Sequence, residues 1–229
     1  MANAGIELPT PEQVGKVLFG NEYRFRIITD CLRFMAQDGE KEFTLPEISE
    51  ALHIPAGSSR PHLEGLVSTG LLTRQLTPQR KASSAMIHWY TTTRSELWRP
   101  FNAALSSLDP TFPRLATDGH PIDPGIARHM GKTLFGNTPR PQIAMYLVGT
   151  KEDKTFFASG LSREIHYRYG ASTVTNVFED LEATGLVTRV VDPGHDKRHT
   201  FQLTDSPLLD IFRELHEVTP PEHRLPEAA

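Results

Sequence analysis

Apolar residues recur at helical spacing in ten stretches of the chain, five before residue 109 and five after residue 124. Val14, Val17 and Leu18 predict a helix over residues 11–20, with Pro11 suited to its first turn. Phe25, Ile28, Cys31, Leu32 and Met35 form an apolar stripe over 22–37, which Asp38-Gly39-Glu40 ends. Glu42-Phe43-Thr44 reads as a short strand. Thr44-Leu45-Pro46-Glu47 then carries the signature of a capping box, in which the hydroxyl and the carboxylate each satisfy a free backbone N–H. Ile48, Ala51 and Leu52 point that helix inward, and 54–58 is a turn. A further helix is predicted from about Ser59, with Pro61 in its first turn, Leu63, Leu66 and Val67 inward, and Gly70 as its stop. Strands over 71–75 and 86–91 enclose a polar loop at 79–84, and Leu97, Phe101 and Leu105 mark a closing helix over 96–108.

After residue 124 the same order returns. Helices are predicted over 126–136 and 140–150, followed by a strand over 154–158. Leu161, Ile165 and Tyr169 give a helix over 160–169, and Gly170-Ala171 turns. Val174, Val177, Phe178 and Leu181 stripe a helix over 172–184. Strands over 186–192 and 199–203 flank the turn at 193–198, and a helix over 207–215 closes the set.

The recurrence extends to the letters. Gly15-Lys16-Val17-Leu18-Phe19-Gly20-Asn21 comes back as Gly131-Lys132-Thr133-Leu134-Phe135-Gly136-Asn137. Arg24 and Ile27 are matched by Arg140 and Ile143, and 68–74 (Ser-Thr-Gly-Leu-Leu-Thr-Arg) by 183–189 (Ala-Thr-Gly-Leu-Val-Thr-Arg). The offset is 116 at Gly15/Gly131, 115 at Gly70/Gly185 and 111 at Thr93/Thr204, which is what one duplicated unit with one trimmed loop would give. The expected organisation is a first domain over 1–108, a linker over 109–124 with four prolines, a second domain over 125–218 and a flexible tail over 219–229.

Helix, helix, strand, helix, turn, helix and hairpin is the order of a winged helix-turn-helix. Leu134-Phe135-Gly136, Tyr169-Gly170-Ala171-Ser172-Thr173-Val174 and Leu181-Glu182-Ala183-Thr184-Gly185-Leu186-Val187 carry a resemblance to the MarR and ArsR type of transcription regulator. Leu18-Phe19-Gly20 and the stretch from Leu66 to Leu72 repeat it in the first half, where Pro55, Gly57, Pro61 and Gly65 depart from the pattern. The resemblance implies a mainly α fold with small β-hairpins (α+β), made of two tandem winged helix-turn-helix domains that bind double-stranded DNA. Plasmid replication initiators, which also resemble two fused winged helices, are a variant of the same class.

Reading DNA requires a helix with one buried face and short polar side chains on the other, near its N-terminus. Ser172, Thr173, Thr175 and Asn176 are the expected outward set in the second half, Asn176 being able to make a bidentate pair with adenine. Ser58, Ser59, Arg60 and His62 are the set in the first, with Arg60 suited to guanine or phosphate. One serine of each set is also expected to act as an N-cap. Arg80 and Lys81 in the first hairpin and Lys197 and Arg198 in the second suit phosphate or a narrow minor groove. Glu179 and Asp180, expected on the exposed side of the second reading helix, oppose phosphate.

Bulk properties narrow the reading. A net charge of −4 and a pI of about 6.2 argue against a sequence-blind polycation. They give weight to a rival reading, a protein-interaction scaffold of the kind that partners chromosome-condensing complexes. The single cysteine, Cys31, lies on an apolar stripe and reads as core. Neither a basic, apolar leader nor a run of about 20 apolar residues occurs, so the expectation is a cytoplasmic protein without a membrane partner. Gly131-Lys132-Thr133 lacks phosphate-loop spacing, since five residues separate Gly125 from Gly131 where the motif needs four. His195 and His199 with Asp192 and Asp196 fall short of zinc spacing. No enzyme, cofactor or metal is expected. Because the two reading helices differ, the expected site is asymmetric or an imperfect repeat, lengthened if the chain forms a homodimer.

Overall fold

A computed structural model describes residues 11–39, 41–78, 86–113, 115, 124–150, 154–166, 168–190, 199–219 and 224–225. The first half runs α1 (Pro11–Leu18), α2 (Glu22–Asp38), β1 (Glu42–Thr44), α3 (Leu45–Leu52), α4 (Ala56–Ser68), β2 (Leu72–Pro78), β3 (Met86–Thr92) and α5 (Trp98–Leu108). The second runs α6 (Pro124–Phe135), α7 (Pro139–Val148), β4 (Thr155–Phe156), α8 (Ala158–Glu164), α9 (Ala171–Ala183), β5 (Val187–Val190), β6 (Thr200–Leu203) and α10 (Leu209–Val218). The fold is mixed α+β, mostly helical, with two small antiparallel sheets ordered β1-β3-β2 and β4-β6-β5. The register repeats as well: Arg74 and Phe43 flank Tyr90, as Arg189 and Phe156 flank Phe201.

Local signals explain most boundaries. The Asn21 side chain accepts from the Tyr23 amide at 2.8 Å and opens α2. The capping box forms as the sequence predicts, with the Thr44 amide donating to Glu47 Oε2 at 2.6 Å and the Glu47 amide to Thr44 Oγ1 at 3.4 Å. Helix α4 begins three residues earlier than expected, because the Ser58 and Ser59 amides close on the Pro55 carbonyl at 2.8 and 3.0 Å. Pro61 is therefore inside the helix, not in its first turn. Past α10, the described residues of the expected tail are anchored. Arg224 Nε donates to the Thr219 carbonyl at 2.8 Å, and Thr219 and Leu225 are buried.

One continuous core runs through both halves. Its centre is the repeated Leu-Phe-Gly turn. Phe19 and Phe135, both fully buried, stack at 5.0 Å between centroids and 16° between planes. Phe101 packs 5.9 Å from Phe19 and Phe212 5.7 Å from Phe135, so equivalent aromatics of α5 and α10 close the cluster from either side. Each half then reaches across. Arg24 Nη1 donates to the Phe19 carbonyl at 2.9 Å and the Leu134 carbonyl at 3.1 Å. Arg140 Nη1 donates to the Leu18 carbonyl at 3.2 Å and the Phe135 carbonyl at 3.5 Å. The glycines of the two turns have φ of +67°, the left-handed region. At Gly136 a Cβ would also lie 3.1 Å from both Arg24 Nη1 and the Phe19 carbonyl, so a side chain there would crowd the crossing as well as strain the backbone.

Around this seam the helices pack reciprocally: α4 against α6, α9 against α1, and α5 against α10. Arg99 on α5 donates to Glu214 at 2.5 Å and Glu217 at 3.0 Å on α10, with Glu96 at 3.6 Å. The beginning of the proline-rich connection is docked. Asn102 Nδ2 donates to the Pro113 carbonyl at 2.8 Å, its Oδ1 accepts from the Leu115 amide at 3.1 Å, and Phe112 is buried.

Candidate nucleic-acid interface

Helices α4 and α9 occupy equivalent places, each following a shorter helix and leading into a hairpin. In α9, Val174, Val177, Phe178 and Leu181 are buried, and Ser172, Asn176 and Glu179 are exposed. Thr173 and Thr175 are half-buried, and Thr175 Oγ1 donates back to the Ala171 carbonyl at 2.9 Å. Ser172 is not the cap, since Gly170 holds that position and no side chain closes the helix start. Four small or polar residues thus lie along the early turns of α9, two of them fully outward.

In α4 the picture is corrected at two positions. Ser59 is fully buried and its Oγ donates to the Pro55 carbonyl at 3.4 Å, and His62 is 9% exposed. Neither faces outward as expected. Ser58 is half-buried, Arg60 exposed, and no serine caps the helix, because Pro55 takes the cap position. Arg60 Nη2 lies 3.4 Å from His88 Nε2 on β3. Arg80, Lys81, Lys197 and Arg198 lie outside the described residues.

Asp180 also departs from expectation. It is half-buried and ion-paired with Arg140: Arg140 Nε donates to Asp180 Oδ2 at 3.0 Å and Nη2 makes a second, shorter contact. Glu179 is exposed as expected.

Sequence reasoning missed a clamp between helix and hairpin that both halves share. Arg74 Nη1 donates to Glu64 Oε2 at 2.6 Å, and Tyr90 donates from its hydroxyl to Glu64 Oε1 at 3.0 Å. Burial works against ionisation of Glu64, but those two hydrogen bonds outweigh it and hold the carboxyl below the usual range. Burial, with the Glu64 carboxylate beside it, pushes the Tyr90 phenol up to about 12. In the second half Arg189 Nη2 donates to Glu182 Oε2 at 2.8 Å, Nη1 lies 3.3 Å from His199 Nδ1, and the guanidinium sits over the Phe201 ring at 5.4 Å. Arg74 and Arg189 are the last letters of the repeated Thr-Gly-Leu-Leu/Val-Thr-Arg segment, so the repeat itself was the available signal.

His62 is a buried base. Its Nδ1 has no partner, and burial first, then the neighbouring Arg24 charge, lowers its pKa to about 4. The unfolded chain binds a proton near the ordinary histidine value, so it takes up protons first as pH falls. Stability from this group is therefore full above about pH 6.5 and is lost towards pH 4, by about 3 kcal/mol. His62→Val, which copies Val177 at the equivalent position, is expected to flatten that slope in urea titrations at pH 4.5 and 7. An unchanged slope would mean that His62 is solvated in the folded chain.

No family model and no curated protein matches the chain. Among the described residues no three His, Cys, Asp or Glu side chains gather as a metal would require. No helix among them is long and apolar enough to cross a membrane.

Proposed function

We propose that the two halves are tandem winged helix-turn-helix units and that the chain binds double-stranded DNA sequence-specifically as a one-chain pseudo-dimer, acting as a transcriptional regulator. The observation that carries this reading is the repeated pairing of an outward-facing polar helix, α4 or α9, with a hairpin that an Arg–Glu contact fastens beside it. A helix so braced presents its early turns to a major groove while the hairpin lies along the backbone. Asn176 is the base reader of the second half and Arg60 that of the first. Ser172 and the backbone amides of the uncapped α9 start supply phosphate contacts.

The test is selection of bound fragments from sheared genomic DNA, then titration of the best fragment at two salt concentrations. A defined site with a steep salt dependence is expected. Arg60→Ala and Asn176→Ala are each expected to weaken binding by about 1–3 kcal/mol and to relax preference at one position. Recovery of no enriched site at low salt would sink the reading. A second reading, a protein-interaction scaffold, is favoured by one observation: Glu179 stands exposed on α9, where it would repel phosphate.

A further inference from the structure

We infer that Arg140 and Asp180 are positioning residues that pin α9 to the seam between the halves, that α4 lacks this pin, and that the second half therefore sets sequence preference while the first adapts to its DNA. The inference rests on the DNA-binding reading above and adds to it a division of labour.

The two arginines of the repeat begin alike. Each donates across the seam to a carbonyl of the other half, Arg24 to Leu134 and Arg140 to Leu18. They differ in what lies behind them. Arg140 is buried and grips Asp180 of α9 through Nε and Nη2. The residue at the end of α1, against which α9 packs, is thus joined to α9 by one continuous chain from the Leu18 carbonyl through Arg140 to Asp180. At the offset of 115 residues, the first half has Gly65 where Asp180 stands. Among the described residues no carboxylate meets Arg24; its Nε is buried without a partner, as is Nδ1 of His62 nearby. Helix α4 is also weaker in itself. Pro61 withholds the N–H that the Gly57 carbonyl would accept, and Gly57 and Gly65 each loosen the backbone. There is room to restore the pin, because a Cβ at Gly65 would meet only Thr133, at 3.5 Å.

The full chain tests this in two measurements. The first is amide hydrogen exchange without DNA. Residues 62–67 of α4 are expected to exchange on the order of tenfold faster than residues 177–182 of α9. Gly65→Asp is expected to slow α4 and leave α9 alone, and Asp180→Ala to speed α9, with Asp180→Asn in between because its amide oxygen still accepts. Equal protection of the two helices overturns the inference. So does Gly65→Asp that folds yet leaves α4 exchange unchanged; if it does not fold, the Asp180 pair decides. The second measurement is base-by-base substitution of the selected site. The α9 half-site is expected to be the steeper, and Gly65→Asp to sharpen the α4 half-site alone. Equal steepness overturns the inference, whereas failure to select any site overturns the DNA-binding reading, leaving the exchange contrast to decide how the helices are anchored.

Discussion

Phe135→Ala is expected to lower the unfolding free energy by about 3–5 kcal/mol, a large share of the 5–15 kcal/mol typical of a small protein. The ring is fully buried and has aromatic neighbours on every side: Phe19 at 5.0 Å, Phe212 at 5.7 Å and Phe101 at 6.3 Å. Two of these, Phe19 and Phe101, belong to the first half and Phe212 to the second. The cavity would open on the seam itself, where both halves would have to move to fill it. Urea denaturation followed by far-ultraviolet dichroism gives the free energy, and amide exchange tells whether both halves lose protection together, as one continuous core requires. Leu76→Ala, at a hairpin side chain that is 49% exposed, is the control and should change stability by no more than about 0.5 kcal/mol. A Phe135→Ala cost below about 1 kcal/mol would mean that the halves do not share a core.

Arg140→Ala is expected to cost about 3 kcal/mol. The change strands the Leu18 carbonyl in a buried crossing and removes the partner of Asp180. Asp180 keeps enough exposure for water to take over, its side chain being 36% accessible, which holds the loss to the lower end of the range for a broken buried pair. Asp180→Ala leaves the opposite problem, a guanidinium 10% accessible with no counter-charge, and should cost at least as much. Arg140→Lys does not rescue, since an ammonium cannot address Asp180 and two carbonyls from one plane. A double-mutant cycle between Arg140→Ala and Asp180→Ala measures the pair directly. A double mutant markedly less costly than the sum of the two is the expected result, and strict additivity would show that the contact contributes nothing.

The periodic parts of the chain are legible in the sequence itself. The ten helices among the described residues, the capping box at Thr44 and Glu47 and the two hairpins follow from spacing and cap chemistry, and their repetition follows from the letters. The errors share a cause. Ser59, His62, Leu63 and Leu66 fall at i, i+3, i+4 and i+7, so their spacing places all four on one buried face; the polarity of the first two suggested the opposite. Val177, Leu181 and Thr184 are buried at the same spacing, and Asp180 at i+3 is drawn half under by its position despite its charge. The helix pattern could have placed Asp180 near the core but not named its partner. Arg140 lies 40 residues from Asp180 along the chain, and the Leu18 carbonyl 122 residues from Arg140, distances over which no local rule operates. The Arg–Glu clamps were partly visible, because Arg74 and Arg189 recur at equal offsets, but Glu64 and Glu182 do not, and each half found its own carboxylate.

The presence of both halves on one chain has a consequence for inheritance. In an assembly of two identical subunits a single codon writes both copies of every position, so an aspartate that fastens one helix fastens its twin, and a glycine that frees one frees both. Here the codon for Gly65 and the codon for Asp180 are separate, and each can change without the other.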